Sequence, residues 1–434
     1  MVYKLNIPLL NKIRANSDYR RLFENFVSLA ILQGLNYILP LITFPYQVRV
    51  LGVEKFGLLS FATATIGYFQ TLTDYGFNLS ATREVAIHRE NKEKLEEIFS
   101  SVMIIKAGLF VLSFLLLNIL VFSFEKFRSD WFVYYLAFGM VLGQVLFPVW
   151  FFQGMERMRY ITFLNILAKG FFTIAIFIFV KTQEDYWKVP LLNSIGFVVA
   201  GVLSLLLIKK QFNVSIKLVG KYGIISQLRD GWHVFVSTIA TSLYTISTTF
   251  ILGIFTNNVI VGYYSAADKI IQAVKGLYGP LSQALFPFIS KKVFESKEKS
   301  LIFIRKITKY VFIITILLSS LLFILSDLIV AILLGKNYVN SIMILKILAI
   351  HPLLIGLSNI FGIQTMLAYG RKKAFQNILI IASLLNIALS LFLVPLYTHI
   401  GSAISVTIVE FFVTFTMFLY LQKIGIKIVE IKNV

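Results

Sequence analysis

The chain has 434 residues, 58% of them hydrophobic and only 14% charged, with a formal net charge of +20. This composition excludes an ordinary soluble protein, since the longest polar stretches run to only about 20 residues. The absence of cysteine excludes disulfides, iron–sulfur clusters and thiol catalysis, and four histidines leave few ligands for a metal.

Apolar segments of membrane-spanning length fill most of the sequence. A helix needs about 20 mostly apolar residues to cross a hydrocarbon core of ~30 Å. The segments lie at residues 26–48, 57–77, 100–122, 131–153, 160–180, 189–208, 232–254, 261–289, 310–334, 343–368, 374–394 and 400–421. The sequence therefore predicts an all-α integral membrane protein with twelve transmembrane helices.

Lysine and arginine are concentrated in every second connection. The N-terminal arm, the C-terminal tail and connections 78–99, 154–159, 209–231, 290–309 and 369–373 hold 29 of them. The other six connections hold seven, namely Arg49, Lys55, Lys126, Arg128, Lys181, Lys188 and Lys336. Because basic residues near span ends stay on the cytoplasmic side, both termini are predicted to be cytoplasmic in the bacterial inner membrane. Basic residues at the cytoplasmic face attract anionic lipids. The charge of +20 therefore predicts membrane lipids, and not nucleic acid, as partners.

A weak internal repeat divides the spans into two halves. The pattern G-x-x-S-x-A occurs at Gly57, Ser60 and Ala62 and again, 205 residues later, at Gly262, Ser265 and Ala267. A repeat offset near half the chain length indicates two six-helix bundles of the same orientation. The predicted organisation is a cytoplasmic amphipathic arm (1–25), an N-terminal bundle (26–208), a cytoplasmic linker (209–231), a C-terminal bundle (232–422) and a cytoplasmic tail (423–434). The arm lacks the continuous apolar run of a cleaved signal peptide.

Polar side chains form a stripe on one face of the second span and of the eighth. They recur at steps of three or four residues, as helical periodicity requires. The stripes are Ser60, Thr63, Gly67, Gln70 and Asp74, and then Asp268, Gln272, Lys275 or Gly276, and Gly279. Because ionised groups are costly inside a membrane, the charged members are expected to face a cavity or to pair with one another. Hydrogen bonding between helices is the alternative for the hydroxyls.

Cations outnumber acids among the intramembrane candidates. Lys106, Lys169, Lys269, Lys275 and Lys346 lie inside or at the ends of spans, and Arg49 follows the first span, which Pro40 and Pro45 are expected to interrupt. Lys169 and Lys275 lie near mid-span, whereas Lys106 and Lys346 are near enough to span ends to snorkel. A cationic balance suits an anionic substrate such as a diphosphate. The alternative for each lysine is a structural pair with an acid.

Catalytic signatures are missing from the sequence. There is no Walker loop, no H-E-x-x-H and no G-x-S-x-G, and the histidines lack metal-ligand spacing. The chain is therefore expected not to be an enzyme and to need no cofactor. With no nucleotide site, an H⁺ or Na⁺ gradient or the supply of substrate would have to drive transport.

The chain resembles the polysaccharide-repeat flippases, the O-antigen and capsule exporters called Wzx, in the superfamily of the multidrug antiporters and the lipid II flippase. The resemblance runs over essentially the whole chain through short motifs in order. These are R-x-L-G at Arg49–Gly52, Phe56-Gly57, D-Y-G-F at Asp74–Phe77, A-x-R at Ala81–Arg83, G-Y-Y-S-A-A-D-K at Gly262–Lys269, Phe286-Pro287, Asn386–Pro395, Gly401–Ala403 and Glu410.

The resemblance implies a MATE-like arrangement of two six-helix bundles around a central cavity that opens alternately inward and outward. It implies an undecaprenyl-diphosphate-linked oligosaccharide as substrate, with a polysaccharide polymerase and a chain-length regulator as candidate partners. The candidate substrate-binding residues are Arg49, Lys169, Lys269, Lys275, Gln70 and Gln272. The candidate ion-coupling residues are Asp74, Asp268 and Glu410.

Two other functions remain open from the sequence. An ion-coupled drug antiporter would be expected to collect carboxylates for cationic substrates, in contrast to the cationic balance here. A membrane polymerase or ligase would be expected to have a long external loop, whereas the external connections here have only five to eight residues.

Overall fold

The computed structural model describes residues 17–428, and within them the regular structure is helical throughout. Residues 1–16 of the predicted arm and 429–434 of the predicted tail therefore lie outside the described residues. In chain order the α-helices are α1 (Ser17–Asp74), α2 (Phe77–His88), α3 (Lys92–Ser123), α4 (Glu125–Arg128), α5 (Trp131–Leu146), α6 (Val149–Gly154), α7 (Met158–Phe179), α8 (Lys188–Phe212), α9 (Lys221–Thr245), α10 (Ser247–Phe255), α11 (Asn258–Gly276), α12 (Tyr278–Glu295), α13 (Lys297–Ile324), α14 (Ser326–Leu333), α15 (Ser341–Leu348), α16 (His351–Asn359) and α17 (Lys372–Lys423). Short 3₁₀ turns lie at Gln183–Trp187 and Lys336–Tyr338, and a π-helix follows α16 at Ile360–Leu367.

Eight helical segments of the described chain are long and apolar enough to cross a membrane, or nine if the bent pair α9 and α10 counts as one span. The protein is therefore a multi-span, all-helical membrane protein, as predicted. The predicted eighth span, 261–289, falls on α11 and α12, which meet at Leu277 and are not among these segments. The number of twelve crossings stays a prediction.

The two longest helices each contain two predicted spans. At 1.5 Å per residue, the 58 residues of α1 would extend roughly 87 Å, far more than a ~30 Å hydrocarbon core. The backbone leaves the helical region at Gly52 in α1 (φ 70°) and at Thr398 in α17 (φ 51°). The helix runs through Pro40 and Pro45, so the break in α1 lies at Gly52. A positive φ is readily adopted by glycine, which explains the residue at this break.

The described chain clusters into two compact units. The N-terminal unit comprises 17–43, Tyr68–Lys181 and Trp187–Ile239, and the C-terminal unit comprises Phe44–Gly67, Thr182–Tyr186 and the residues from Ala240 onward. The segment around the Gly52 break thus packs with the C-terminal unit, although the sequence prediction assigned it to the N-terminal bundle. The predicted bundle bounds stay a prediction.

Each unit has its own apolar core. In the N-terminal unit, the core is built around Trp150, Phe151 and Phe152, all fully buried. Phe99 packs against two of these rings, with centroids 5.9 Å from Trp150 and 5.5 Å from Phe151. Tilted and edge-on aromatic pairs of this kind add stability beyond their buried area. In the C-terminal unit, aliphatic residues of α13 and α17 surround the π-helix.

Side-chain caps fix where three helices begin. Asn91 accepts a hydrogen bond from the backbone N–H of Lys94 at the start of α3, and Asn257 accepts one from Ile260 at the start of α11. Ser296 does the same for α13. Asparagine and serine are preferred at this position because they satisfy a backbone donor that has no partner within the helix. These caps mark polar connections that precede apolar helices.

The repeated motif brings two helices into backbone contact. A Cβ atom at Gly57 would lie 1.8 Å from the carbonyl oxygen of Asn258, and one at Gly262 would lie 2.1 Å from that of Val53. Both contacting segments, the part of α1 within Phe44–Gly67 and α11, belong to the C-terminal unit. Small residues allow such close approach of helices in membranes. The first glycines of the two motif copies therefore form one crossing, which explains why both copies begin with glycine.

The predicted linker is tied to α3. Lys217 forms an ion pair with Glu96, and its backbone N–H donates to Ser100 Oγ at 2.9 Å. The hydrogen bond from Lys217 holds the pKa of the Glu96 carboxyl below its usual value. This segment, between α8 and α9, is thus anchored by charge and not only by its chain connections.

Candidate functional site

Asp74 is the last residue of α1 and lies beside a sharp backbone break. Tyr75 and Gly76 both have positive φ, 48° and 75°, and α2 starts immediately afterwards. The Asp74 carboxylate accepts a hydrogen bond of 2.6 Å from Asn78 Nδ2 and another from the backbone of Gly76. The start of α2 thus supplies donors to a carboxylate that is only 9% exposed. Backbone donors at a helix N-terminus suit an anion.

A buried lysine balances this carboxylate. Lys106 of α3 is 1% exposed and lies close enough to Asp74 for the two charges to attract each other. Its ammonium donates to the carbonyl of Gln144 at 3.4 Å, and Gln144 Nε2 donates to the carbonyl of Gln70 at 3.3 Å. We call Asp74, Asn78, Lys106 and Gln144 the Asp74 cluster. A buried pair of opposite charges can change its net charge by taking up one proton, which is the chemistry that ion coupling requires.

For Lys106 the structure decides between the two alternatives that the sequence left open. Snorkelling and pairing were both open, and the structure buries the side chain beside Asp74. The signal was a charged residue within an apolar helix. Its partner could not be predicted, because Lys106 and Asp74 are 32 positions apart in the sequence and lie on different helices.

Lys169 lies on α7 in the N-terminal unit. Its half-buried ammonium donates to Asn36 Oδ1 of α1 at 2.5 Å. Asparagine is a neutral acceptor, so this hydrogen bond satisfies one donor and leaves the positive charge of the lysine intact. An intact cation can still attract an anion.

Arg49 lies in the C-terminal unit, just before the Gly52 break. Its exposed side chain donates a hydrogen bond to the backbone carbonyl of Ile332 in α14. A second hydrogen bond holds the neighbouring residue Val48: the hydroxyl of Tyr338 donates to its backbone carbonyl at 3.3 Å. Because a carbonyl carries no full charge, Arg49 also keeps its positive charge in this arrangement.

Lys275 is half-buried on α11 and lies within electrostatic range of His351. His351 is 1% exposed, and its Nε2 lies 3.0 Å from Thr407 Oγ1. Its other nitrogen, Nδ1, has no partner among the described residues. The sequence prediction did not include His351, although a histidine in an apolar span was the available signal.

The remaining predicted residues show different degrees of burial. Lys269 and Gln272 are exposed on α11, and Asp268 is half-buried near Tyr264. Glu410 is 6% exposed within α17. The structure places Lys169 in the N-terminal unit and the other candidate cations in the C-terminal unit. The proposed grouping of these residues in one substrate site stays a prediction.

One motif of the family resemblance is structural. Asn386 is buried and shares hydrogen bonds of 3.2 and 3.4 Å with Thr248 of α10. One turn later, Ser390 lies 3.1 Å from Ser405 across the Thr398 break. Such polar contacts hold membrane helices together, so the buried polar residues of this segment help to position its helices.

A polar pocket of about 600 Å³ lies in the N-terminal unit between α2 and α9. Its lining carries two arginines, Arg83 and Arg229, together with His233 and two acids. Arg83 belongs to the A-x-R motif that the sequence singled out. The pocket adjoins the Asp74 cluster through α2, which starts beside Asp74.

Comparisons with known proteins agree with this architecture. A model of the family described as "Polysaccharide biosynthesis protein" matches residues 22–293. The chain is 34% identical over 407 residues to the "Putative O-antigen transporter" of Escherichia coli (strain K12), covering 94% of this chain and 98% of that protein. It is 28% identical over 395 residues to the protein of the same name from Shigella dysenteriae, covering 91% and 98%.

Solved structures show the same fold. An inward-facing multidrug resistance MATE family transporter of the MOP superfamily has a TM-score of 0.70 at 13% identity, covering 94% of this chain and 100% of that one. The lipid II flippase MurJ, in an inward closed conformation, has a TM-score of 0.71 at 15% identity, covering 94% and 90%. The resemblance stated from the motifs is confirmed: the chain belongs to the polysaccharide biosynthesis protein family, with the fold of the MOP superfamily transporters.

Proposed function

We propose that this protein flips undecaprenyl-diphosphate-linked oligosaccharide repeat units, of O-antigen, capsule or a related polysaccharide, across the bacterial cytoplasmic membrane. It works by alternating access between two six-helix bundles with twelve spans and two cytoplasmic termini. It moves its substrate without catalysing a reaction on it. A polymerase and a chain-length regulator acting on the delivered units are the proposed partners.

One observation carries the proposal. Relatives named as O-antigen transporters match the chain over more than nine-tenths of its length, and a lipid II flippase shares its fold. Both names describe proteins that move a glycan-bearing substrate or a lipid-linked one. An intramembrane set of residues biased toward cations agrees with a diphosphate as the common chemical group.

The cations Arg49, Lys169, Lys269 and Lys275 are proposed to bind the diphosphate, with Gln70 and Gln272 contacting the sugar. The contacts of Arg49 and Lys169 support this role, because a backbone carbonyl and an asparagine accept their hydrogen bonds without neutralising them. Each charge thus remains able to attract a phosphate.

The Asp74 cluster is proposed to couple transport to H⁺ or Na⁺, with Asp268 and Glu410 as further candidates. Asp74 supports this role better than Asp268, since it is buried and its charge is balanced by one lysine. Uptake of a cation at Asp74 would unbalance Lys106 and so favour a different arrangement of α3.

A drug antiporter is the second candidate, favoured by the fold shared with a multidrug transporter. At 13% identity this likeness concerns the fold, which hosts both classes of substrate. The retained positive charges of Arg49 and Lys169 disfavour a cationic drug.

Complementation of a flippase-deficient strain of known repeat unit tests the proposal. Losing one charge-assisted hydrogen bond to the diphosphate should cost about 1.5–3 kcal/mol, or about ten- to a hundredfold in affinity. Lys169→Ala and Lys275→Ala should impair export, and Lys275→Arg should retain part of it. Lys297→Ala, at an exposed position at the start of α13, should export normally. Normal export by both alanine variants and by Arg49→Ala, at wild-type protein levels, would contradict the cationic site.

A further inference from the structure

The pocket between α2 and α9 carries charges of both signs on each of its walls. The α2 wall presents Arg83 beside Glu84, and the α9 wall presents Arg229 beside Asp230. Residues that are adjacent on a helix point about 100° apart, so neither arginine faces the acid next to it. The volume of about 600 Å³ lies in the range that bound small molecules occupy.

Each acid of the pocket interacts with a residue of its own helix. The Glu84 carboxylate lies 3.8 Å from Nδ1 of His88, one turn further along α2, and Asp230 accepts a hydrogen bond of 3.4 Å from Ser226, one turn earlier in α9. The two guanidinium groups, by contrast, form no ion pair and no hydrogen bond with any residue that the structure describes. Both are exposed and keep all their N–H donors for an anion such as phosphate.

The base of the pocket is closely packed. A Cβ atom at Gly76 would lie 2.6 Å from Cγ1 of Val234, which itself lines the pocket. Next to this contact, the ring of Tyr75 stacks on that of Phe235, with centroids 4.4 Å apart and planes 20° from parallel. Both aromatic side chains are buried. The two walls are therefore held together at the D-Y-G-F break and open away from it.

The two arginines lie at a similar height above this base. Arg83 follows Gly76 by seven residues on α2, and Arg229 precedes Val234 by five residues on α9. At 1.5 Å per residue these separations are roughly 10 Å and 8 Å along the two helices. Because both side chains line the same pocket, one phosphate or diphosphate can bind to both walls at once.

The mixture of charges suits a ligand that is both anionic and hydroxylated. Arginine supplies donors to phosphate, and a carboxylate accepts hydrogen bonds from hydroxyl groups. A simple anion would be repelled by the two acids, whereas a phosphate joined to a sugar can use all four charged groups. In the proposed topology, the α2 wall lies in a cytoplasmic connection and the α9 wall begins at the end of the cytoplasmic linker.

We propose that this pocket is the cytoplasmic loading site for the diphosphate and first sugar of the lipid-linked substrate, an inference that rests on the proposed function. Arg83 and Arg229 bind the diphosphate, and the two acids accept hydrogen bonds from the sugar hydroxyls. The site is separate from the cations proposed to bind the diphosphate within the spans. It adjoins Asp74 through α2, whose Asn78 donates to that carboxylate.

Photo-crosslinking of the purified full-length protein tests the site. The probe is a short-chain polyprenyl diphosphate that carries one hexose with a diazirine, and mass spectrometry of the labelled peptides separates α2 and α9 from other sites. Losing one charge-assisted contact to phosphate should lower labelling of these helices about tenfold at subsaturating probe. Arg83→Gln and Arg229→Gln should each show this loss, and Arg229→Lys, which keeps the charge without the planar fork, should lose less.

Lys221→Gln is the matched control, because it removes an exposed charge of α9 that does not line the pocket. It should label like the wild type. Equal loss of labelling in Lys221→Gln would overturn the proposal. Unchanged labelling in Arg83→Gln and Arg229→Gln would do so too, and so would the absence of label from α2 and α9 in the wild type.

Competition with unlabelled compounds identifies the chemistry of the ligand. A polyprenyl diphosphate that carries a hexose should displace the probe better than the same compound without the sugar. Asp230→Ala should reduce that difference, because it removes an acceptor for the hydroxyls. Phosphatidylglycerol and phosphatidylethanolamine should compete less well than either diphosphate. Stronger displacement by a phospholipid would make a lipid headgroup the occupant and contradict the proposal.

Complementation of the flippase-deficient strain separates this inference from the proposed function. Normal export by the wild type, together with no label on α2 and α9, would leave the flippase function standing and refute the loading site. Labelling that depends on Arg83 and Arg229, in a protein that does not restore export, would support the site and contradict the proposed translocation.

Discussion

Removing the charge of Lys106 should destabilise the protein strongly. Lys106→Met keeps the length of the side chain, but it leaves the Asp74 carboxylate buried at 9% exposure without its balancing cation. Breaking a buried charge pair by removing one partner costs about 3–5 kcal/mol. The reverse change, Asp74→Asn, leaves Lys106 uncompensated at 1% exposure and preserves an acceptor for Asn78.

The double variant, Lys106→Met with Asp74→Asn, separates the interaction between the two charges from the simple loss of two polar groups. With both charges removed, no uncompensated ion remains, so the cost should fall below the sum of the single variants by about 2 kcal/mol. Thermal unfolding in detergent, followed by tryptophan fluorescence, measures each midpoint. For a chain of 434 residues, the cost of about 3–5 kcal/mol expected for either single variant corresponds to a drop of roughly 3–6 °C in the unfolding midpoint.

Lys346→Met is the matched control. Lys346 forms an ion pair of 2.8 Å with Asp327, but the two side chains are 32% and 62% exposed. An exposed pair contributes at most about 1 kcal/mol, so this variant should unfold close to the wild type although the pair makes a direct contact. A wild-type midpoint for Lys106→Met would refute the reasoning. Strict additivity in the double variant would do the same.

Three further predictions concern packing, pH and topology. Gly57→Ala should prevent accumulation of folded protein, because its Cβ would lie 1.8 Å from a carbonyl oxygen, whereas Gly170→Ala, with nothing within 4 Å, should fold normally by size-exclusion chromatography. The pKa of Glu96 is lower in the folded protein than its value of 4.5 in a free chain. Its contribution to stability is therefore fully present above pH 4.5 and is lost as the pH falls through the pKa of the folded state. Glu96→Gln should abolish that part of the acid sensitivity in unfolding curves, and an unchanged acid profile would argue against it. Single cysteines at Gln183 and Ser226 should be labelled from outside and protected, respectively, by an impermeant thiol reagent in spheroplasts; the opposite pattern would invert the proposed topology.

Helical character and the family could be predicted from the sequence because both depend on local or ordered patterns. The length of the apolar segments indicated a multi-span helical membrane protein, and motifs such as D-Y-G-F at Asp74–Phe77 indicated the family. The G-x-x-S-x-A copies were also visible. Their contact was not, because a repeat indicates equivalence between two segments and says nothing about whether they touch.

The sequence could not predict which residues the intramembrane lysines contact. Lys106 and Asp74 are 32 positions apart, and Lys169 and Asn36 are 133 apart. Which residues meet depends on how helices pack, and several packings satisfy the same periodicity. The break at Gly52 was missed for a different reason: proline is the stronger signal of interruption in a sequence, while the positive φ that glycine permits leaves no comparable mark.

The Gly57–Gly262 crossing has a mechanical consequence. Because the helices approach each other at glycines, sliding by part of a 5.4 Å turn would bring larger side chains into the crossing, whereas a pivot keeps the two glycines in contact. The contact is thus a pivot point near the start of α11. From Gly262, the long arm of the helix runs 14 residues, or roughly 21 Å, to Gly276, and the short arm runs back to Asn258. A pivot of about 10° would move the far end of that arm by roughly 4 Å and the short arm by about 1 Å. Any rocking that the C-terminal unit performs would be amplified toward Lys275 and leave the Asn257 cap nearly still. Spin labels at the two ends of α11 would reveal this unequal displacement.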